Sequence, residues 1–194
     1  MKMIFATANK GKLREAAEIL GEGYELVTPA EMGIAEDIPE TSDTIEGNSL
    51  QKASYLWEKT GCVCFADDTG LEIEALGGAP GVYTARYAGE GKDFNENIDK
   101  VLAELEGEEN RRARFHCVVT LIFPDGHSVQ FDGAMNGSIG HERAGSMGFG
   151  YDPIFISEEF PGLTLAEISA EDKNAISHRG KALRAMAEYL RYNP

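Results

Sequence analysis

The chain has 194 residues, 42% of them hydrophobic and 26% charged, with a formal net charge of −15. That mixture excludes a disordered chain and suits one domain, at most two-lobed, around a sizeable core; no apolar run approaches the ~20 residues of a membrane span, and the stretch before Lys10 is too short for a signal segment, so a cytoplasmic protein is expected. The acidic balance argues against a broad nucleic-acid surface, which needs clustered Lys and Arg, and leaves anion binding only where the few cations converge or a divalent metal intervenes.

Residues 3–8 read as a short buried strand, Asn9–Gly11 as a turn and residues 12–20 as a helix with Leu13, Ala16, Ala17 and Leu20 on one stripe. At this strand-to-helix junction Thr7, Ala8, Asn9, Lys10, Gly11 and Lys12 offer unpaired backbone N–H groups to a phosphate. Lys12, in the first turn, opposes the helix dipole unless an anion sits beside it. The same residues serve equally well as a plain turn.

Tyr24–Val27 is a second strand, followed by a loop with Pro29 and Pro39. Ten acids and no Lys or Arg lie between residues 15 and 51, mostly a solvated face. Helix two is predicted from Asp43 as N-cap, with Glu46 three residues on, through Leu50, Ala53, Leu56 and Trp57 to Gly61. Asn48 and Lys52 lie four apart on its surface, able to reach one phosphate or simply to face water.

Cys62–Ala66 is an apolar run of strand length that ends at Asp67-Asp68-Thr69-Gly70. Cys62, Cys64 and Cys117 all sit in such runs and read as buried thiols. Neighbouring strand side chains point to opposite faces, so one aspartate can enter a pocket while the other holds the turn through backbone bonds. A purely structural polar turn fits the motif as well. If a triphosphate arrives with Mg²⁺, one or two carboxylates suffice for the ion, and Glu40 in the acidic loop is the candidate second ligand beside the aspartates.

Leu71, Ile73 and Ala75 alternate with polar neighbours as in a half-exposed strand. Residues 94–105 are a further helix. Phe115–Phe123 reads as a central strand buried on both faces, turned by Pro124-Asp125-Gly126 into a partner at residues 128–134. Five glycines fall in the loop at residues 137–150. In Phe149-Gly150-Tyr151-Asp152 an aromatic ring beside glycines can lie against a base, unless Phe149 packs in the core. Asp152 can accept from a ring N–H, and His178 or Arg179 can donate to a ring carbonyl. Lys173 and His178 would fan apart on one regular helix. They converge if the last helix begins at Ser177, although Ser169 with Asp172 is a rival cap. That helix carries Ala182, Leu183, Met186, Ala187 and Leu190. Interleaved helices and strands with one hairpin make an α/β domain on a mixed sheet flanked by helices.

Taken together, Ala6-Thr7-x-Asn9-x-x-Lys12, Asp67-Asp68-Thr69-Gly70-Leu71, Gly77-Gly78-x-Pro80-Gly81, Ser146-x-Gly148-Phe149-Gly150-Tyr151-Asp152-Pro153 and Ser177-His178-Arg179 resemble the landmarks of the inosine/xanthosine triphosphate pyrophosphatases. That family removes non-standard purine nucleotides. The resemblance covers nearly the whole chain and implies an elongated mixed sheet, two lobes around a cleft, a homodimer and Mg²⁺ dependence. It implies phosphate contacts for Thr7 to Lys12 and Lys52, with Thr69 beside the substrate. Asp68 would be the catalytic carboxylate near the metal and Glu40 its metal neighbour. Phe149, Gly150, Tyr151, Asp152, Lys173, His178 and Arg179 would hold the nucleotide. Where the family often shows Thr-Phe-x-Glu-Asn, this chain has Thr44-Ile45-Glu46-Gly47-Asn48, so no role passes to Glu46. The expected reaction converts ITP, dITP or XTP to the monophosphate and pyrophosphate. The alternatives are a phosphatase cutting the β–γ bond and a nucleotide sensor without catalysis.

Overall fold

The computed structural model describes residues 1–193. In chain order it contains β1 (Lys2–Phe5), α1 (Lys10–Leu20), β2 (Glu25–Val27), α2 (Ile45–Thr60), β3 (Cys64–Ile73), α3 (Phe94–Glu104), β4 (Arg112–Ile122), β5 (Ser128–Ile139), β6 (Phe155–Ser157), α4 (Ala170–Ile176) and α5 (His178–Tyr192). One sheet runs β2-β1-β3-β4-β5-β6. It is mixed: β1 is parallel to β2 and β3, whereas β5 and β6 are antiparallel. The α/β class expected from the sequence is thus the one found. No helix among the described residues is long and apolar enough to cross a membrane.

The chain forms two compact units. The first takes Met1–Asp68, Cys117–Gly133 and the segment from Arg179; the second takes Thr69–His116 and Ala134–His178. In the first unit, strand alternation sorts side chains between two helical layers. Met3, Phe5 and Phe65 join Ala16 and Leu20 of α1 and Ala182, Leu183, Met186, Ala187 and Leu190 of α5. The Phe5 and Phe65 rings stack with centroids 4.3 Å apart. The intervening Ile4, Cys64 and Ala66 turn the other way, to Ala53 and Leu56 of α2. Each fully buried leucine there contributes about 1.5–3 kcal/mol.

The second unit buries Leu71, Ile73, Ala113, Met135, Ile139, Tyr151, Ile154 and Phe155 with Ile98, Val101 and Leu105 of the α3 region. Thr84, on a short 3-10 helix at Gly81–Arg86, ties this unit together. Its hydroxyl accepts from Leu71 N (2.8 Å) and donates to Gly81 O (2.6 Å), while its carbonyl accepts from the Tyr151 hydroxyl (2.7 Å).

Several expected boundaries move. Helix α2 is capped by Thr44, not Asp43: Thr44 is extended and its hydroxyl accepts from Gly47 N, which puts Glu46 at the second helical position and removes the capping box. The runs before and after the aspartates are one strand. Leu71 and Ile73 are fully buried, so β3 continues through Asp67-Asp68 and ends only in the 3-10 turn at Glu74–Leu76. Helix α1 starts at Lys10, earlier than its apolar stripe, because Asn9 caps it. Residues 137–139 belong to β5, which extends well past the expected end at 134. Strand β4 is buried at every position from His116 to Ile122, as the apolar run predicts.

Thr84→Val keeps the shape but leaves Leu71 N and Gly81 O without their hydroxyl partner. The expected loss is about 1–3 kcal/mol, read from chemical denaturation, with the native fold retained.

Candidate functional site

Strand parity places the first group of charged side chains. Asp67 lies in step with Phe65 on the face covered by α1 and α5; Asp68 lies in step with Ala66 on the face covered by α2. Each aspartate meets the cations of its own helices. Asp67, only 1% exposed, accepts at Oδ2 from Lys12 Nζ of α1 (2.8 Å) and from Arg179 Nε of α5 (3.0 Å). Arg179 also reaches Glu15 (3.4 Å). Asp68 Oδ1 lies 3.5 Å from Lys52 Nζ of α2, and Glu40 Oε1 accepts from the same ammonium at 2.5 Å. The sequence left open which aspartate would hold a turn through backbone bonds; Asp67 pairs with two cations instead.

The electrostatics follow the geometry. Burial works to raise the Asp67 pKa, but Lys12 and Arg179 more than offset it and hold the carboxyl well below the usual range. Burial opposes the charge of Lys52, yet Asp68, Asp67 and Glu40 hold its pKa above the ordinary lysine value. Arg179 is likewise held charged by Asp67 against burial. The Cys117 thiol is pushed up by burial and by Asp67, so it is an inert neutral wall. Cys64, pushed up to about 12 by burial, is equally inert.

At the start of α1, Asn9 Oδ1 accepts from Gly11 N (2.8 Å) and Lys12 N (3.2 Å), and Asn9 N donates to Thr7 Oγ1 (3.0 Å). The side-chain cap therefore takes two amides that the sequence left open for a phosphate. Among the described residues the amides of Ala8 and Lys10 have no hydrogen-bond partner, and these are the donors that remain. Asn48 does not face outward beside Lys52. It is buried, and its Oδ1 accepts from Ser42 N (2.9 Å). Gln51 and Thr41 exchange two bonds of 2.8 Å. These two amide side chains fasten the acidic loop to α2 and so bring Glu40 to Lys52. Gly47 makes the close approach possible, since a Cβ there would lie 1.9 Å from Ser42 Oγ. Sequence reading missed Asn48 and Gln51 as fasteners; the signal was a polar pair on α2 one turn from the loop. Two carboxylates meeting at one ammonium are a hard oxygen set that can also hold a divalent cation.

The second unit carries the other group. Phe149 is 71% exposed, which settles core packing against it. Lys173 Nζ sits 4.4 Å from its ring centroid, a cation–π contact. The same ammonium bonds Asp152 Oδ2, which also accepts from Phe149 N at 2.8 Å. One buried carboxylate thus fixes the backbone of the exposed ring and the lysine that covers it. Tyr151 is buried, with its hydroxyl on Thr84, and supports the loop from beneath. Gly150 adopts a left-handed φ of 60° in open space.

The two readings near the C-terminus correspond to two successive helices. Ser169 caps α4, whose last turn presents Lys173; Ser177 is extended, and α5 starts afresh at His178. The His178 ring stacks on Phe115 with centroids 5.2 Å apart. Arg179, its sequence neighbour, belongs instead to the Asp67 group. Thr69 Oγ1 donates to the His116 carbonyl (3.0 Å).

Known proteins resemble this chain over nearly its whole length. The family model described as the Ham1 family matches residues 3–189. A dITP/XTP pyrophosphatase of Flavobacterium psychrophilum is 47% identical over 191 residues, covering 98% of this chain and 100% of the relative. The dITP/XTP pyrophosphatase of Bacillus subtilis is 45% identical, covering 96% of each. Among solved structures, the Ham1 protein of Staphylococcus aureus has a TM-score of 0.94 at 36% identity over the whole of both chains.

Two glycines of the Phe149 loop separate crowding from backbone strain. A Cβ on Gly148 (φ 77°) would lie 2.0 Å from Asp152 Oδ2, whereas one on Gly150 meets nothing within 4 Å. Gly150→Ala is expected to lose only the left-handed preference, about 1–2 kcal/mol. Gly148→Ala also dislodges the carboxylate and is expected to lose about 2 kcal/mol more in denaturant titration.

Proposed function

The chain belongs to the Ham1 family, and we propose that it is a nucleoside-triphosphate pyrophosphatase that converts ITP, dITP and XTP to the monophosphate and pyrophosphate. The observation that carries this reading is electrostatic. A chain of net charge −15 gathers Lys12, Lys52 and Arg179 on two adjacent aspartates of one strand. Such a cluster suits a polyanion that arrives with a divalent cation.

In the proposed reaction, Asp68 takes the proton of a water that attacks the α phosphorus in line. The bond to the α–β bridging oxygen breaks, and its electron pair leaves with pyrophosphate. The Ala8 and Lys10 amides, Lys12, Lys52 and Arg179 bind the phosphates and offset the charge on the leaving group. Glu40 and Asp68 would hold Mg²⁺, an ion for which one or two carboxylates suffice. When bound, Mg²⁺ supplies Lewis-acid stabilisation of charge on the phosphates.

Phe149 offers the base a stacking surface, worth ~1–3 kcal/mol and indifferent to base identity. Selection falls to the ring edge, through Asp152, Lys173 and His178. A donor set for a 6-oxo group meets the 6-amino group of adenine as a second donor, and a buried hydrogen bond left unmade costs about 1–3 kcal/mol. Thr7, Asn9, Gly11, Thr69, Gly150 and Tyr151 shape these surfaces through capping, backbone and support. The two units work as one functional domain. By the same family resemblance, the working form is a cytoplasmic homodimer.

Incubation with ITP, dITP or XTP and Mg²⁺ is expected to release pyrophosphate as the primary product, with ATP turned over far more slowly. Chelation with EDTA abolishes the reaction and Mg²⁺ restores it. Orthophosphate as the only inorganic product rejects the reading in favour of β–γ cleavage. Asp68→Asn is expected to lower kcat by about 10²–10⁴-fold while the protein stays folded. A ligand response without turnover in the unmodified chain would indicate a sensor. Phe149→Ala is expected to raise KM roughly tenfold for every purine tested, with no loss of thermal stability.

A further inference from the structure

We propose that Asp67 is a positioning residue that sets Lys12 and Arg179 as a pair toward the triphosphate. The inference rests on the pyrophosphatase reading and adds to it a residue that touches neither substrate nor metal. Three observations carry it. A single oxygen, Oδ2, holds both cations, at 2.8 Å from Lys12 Nζ and 3.0 Å from Arg179 Nε. The second oxygen, Oδ1, is buried and has no hydrogen-bond partner among the described residues. The side chain as a whole is 1% exposed.

A carboxylate placed as a base or as a metal ligand presents an oxygen to the reacting water or ion. Asp67 does the opposite: its only engaged oxygen is committed twice, and the other is enclosed. A buried oxygen without a partner is uncommon in folded proteins. Here the charge is compensated at Oδ2, so the missing bond at Oδ1 is tolerated. What the arrangement achieves lies in its partners. Lys12 and Arg179 come from α1 and α5, and two like charges meeting at one point would separate without the anion between them. With Asp67 in place, Lys12 keeps two further N–H donors. Arg179 keeps those of its guanidinium not used on Asp67 and Glu15. Those donors are oriented before any ligand arrives.

Parity on β3 assigns the neighbouring residues different tasks. Asp68, in step with the α2 layer, is partly open and shares Lys52 with Glu40. Asp67, in step with the α1 and α5 layer, is closed. The motif therefore reads as one acid for chemistry and one for alignment.

The test is a double-mutant cycle with two readouts: kcat/KM for ITP, and affinity for inorganic tripolyphosphate with Mg²⁺ by calorimetry. Asp67→Asn is expected to lower kcat/KM by ~100-fold, the scale of a misplacement of about 1 Å, and to weaken tripolyphosphate binding ~10-fold. In Lys12→Met and in Arg179→Met backgrounds the same change is expected to have a much smaller effect, because the group it acts through is gone. Asp67→Glu, which keeps the charge, is expected to recover at least tenfold of the lost kcat/KM. The proposal is overturned if folded Asp67→Asn binds tripolyphosphate as tightly as the parent. It is also overturned if the loss in kcat/KM has the same size in all three backgrounds, since that marks an effect independent of the two cations. Should Asp67→Asn not fold, Asp67→Ser, smaller and equally uncharged, is measured in its place: tripolyphosphate affinity equal to the parent's overturns the proposal, and a weakened affinity with the fold intact supports it. If the unmodified chain releases no pyrophosphate from ITP, the reaction assignment fails, and tripolyphosphate binding still tests the anchor.

Discussion

Burying a carboxylate inside a protein is tolerable only when its charge is met, and that constraint organises the first unit. Asp67 sits on a strand with almost no access to water, so cations must be brought to it. They come from segments 55 and 112 residues away in sequence. The layers that supply them also supply the core: α1 and α5 bury their apolar faces against Met3, Phe5, Phe65 and Val119. Packing and charge pairing therefore pull the same helices to the same face. Removing one without the other would leave either a cavity or an unpaired ion.

Much of this was legible in the sequence, for reasons that can be named. β4 was visible because its residues from His116 to Ile122 lie buried on both faces and leave no alternation to confuse. Helices α1, α3 and α5 were visible through their apolar spacing. The division of labour between Asp67 and Asp68 was half legible: period-two geometry required opposite faces, but not which helix covered which. The fused β3 was not legible. Two adjacent aspartates read locally as a turn, and only the burial of Leu71 and Ile73 in a separate core keeps the strand extended through them. The α2 cap went to Thr44 rather than Asp43 because hydroxyl reach to the Gly47 amide, not residue preference, decides between neighbours that are both good caps.

In the second unit the informative contrast lies between two aromatics two residues apart. Phe149 is exposed and Tyr151 buried, although both stand beside Gly150. The sequence left open whether Phe149 would lie against a base or pack in the core. The tie from the Tyr151 hydroxyl to Thr84 and the hold of Asp152 on the Phe149 amide decide which of the two rings is buried. An apolar ring in water is unfavourable by itself, and the lysine laid across it reduces that penalty. His178 and Arg179 show the same dependence on context. Adjacent in the chain, one stacks on Phe115 and the other pairs with Asp67.

The acidic loop before α2 draws its shape from an atom that is missing. Ser42 comes so close over Gly47 that a single methyl group would collide with it, and Glu40 lies only two residues from that crossing. Every one of the nineteen possible exchanges at residue 47 adds at least that carbon, so no neighbour in mutational space leaves the crossing as it is. Drift in this part of the chain is confined at one point: the surface on which the loop rests admits no added carbon.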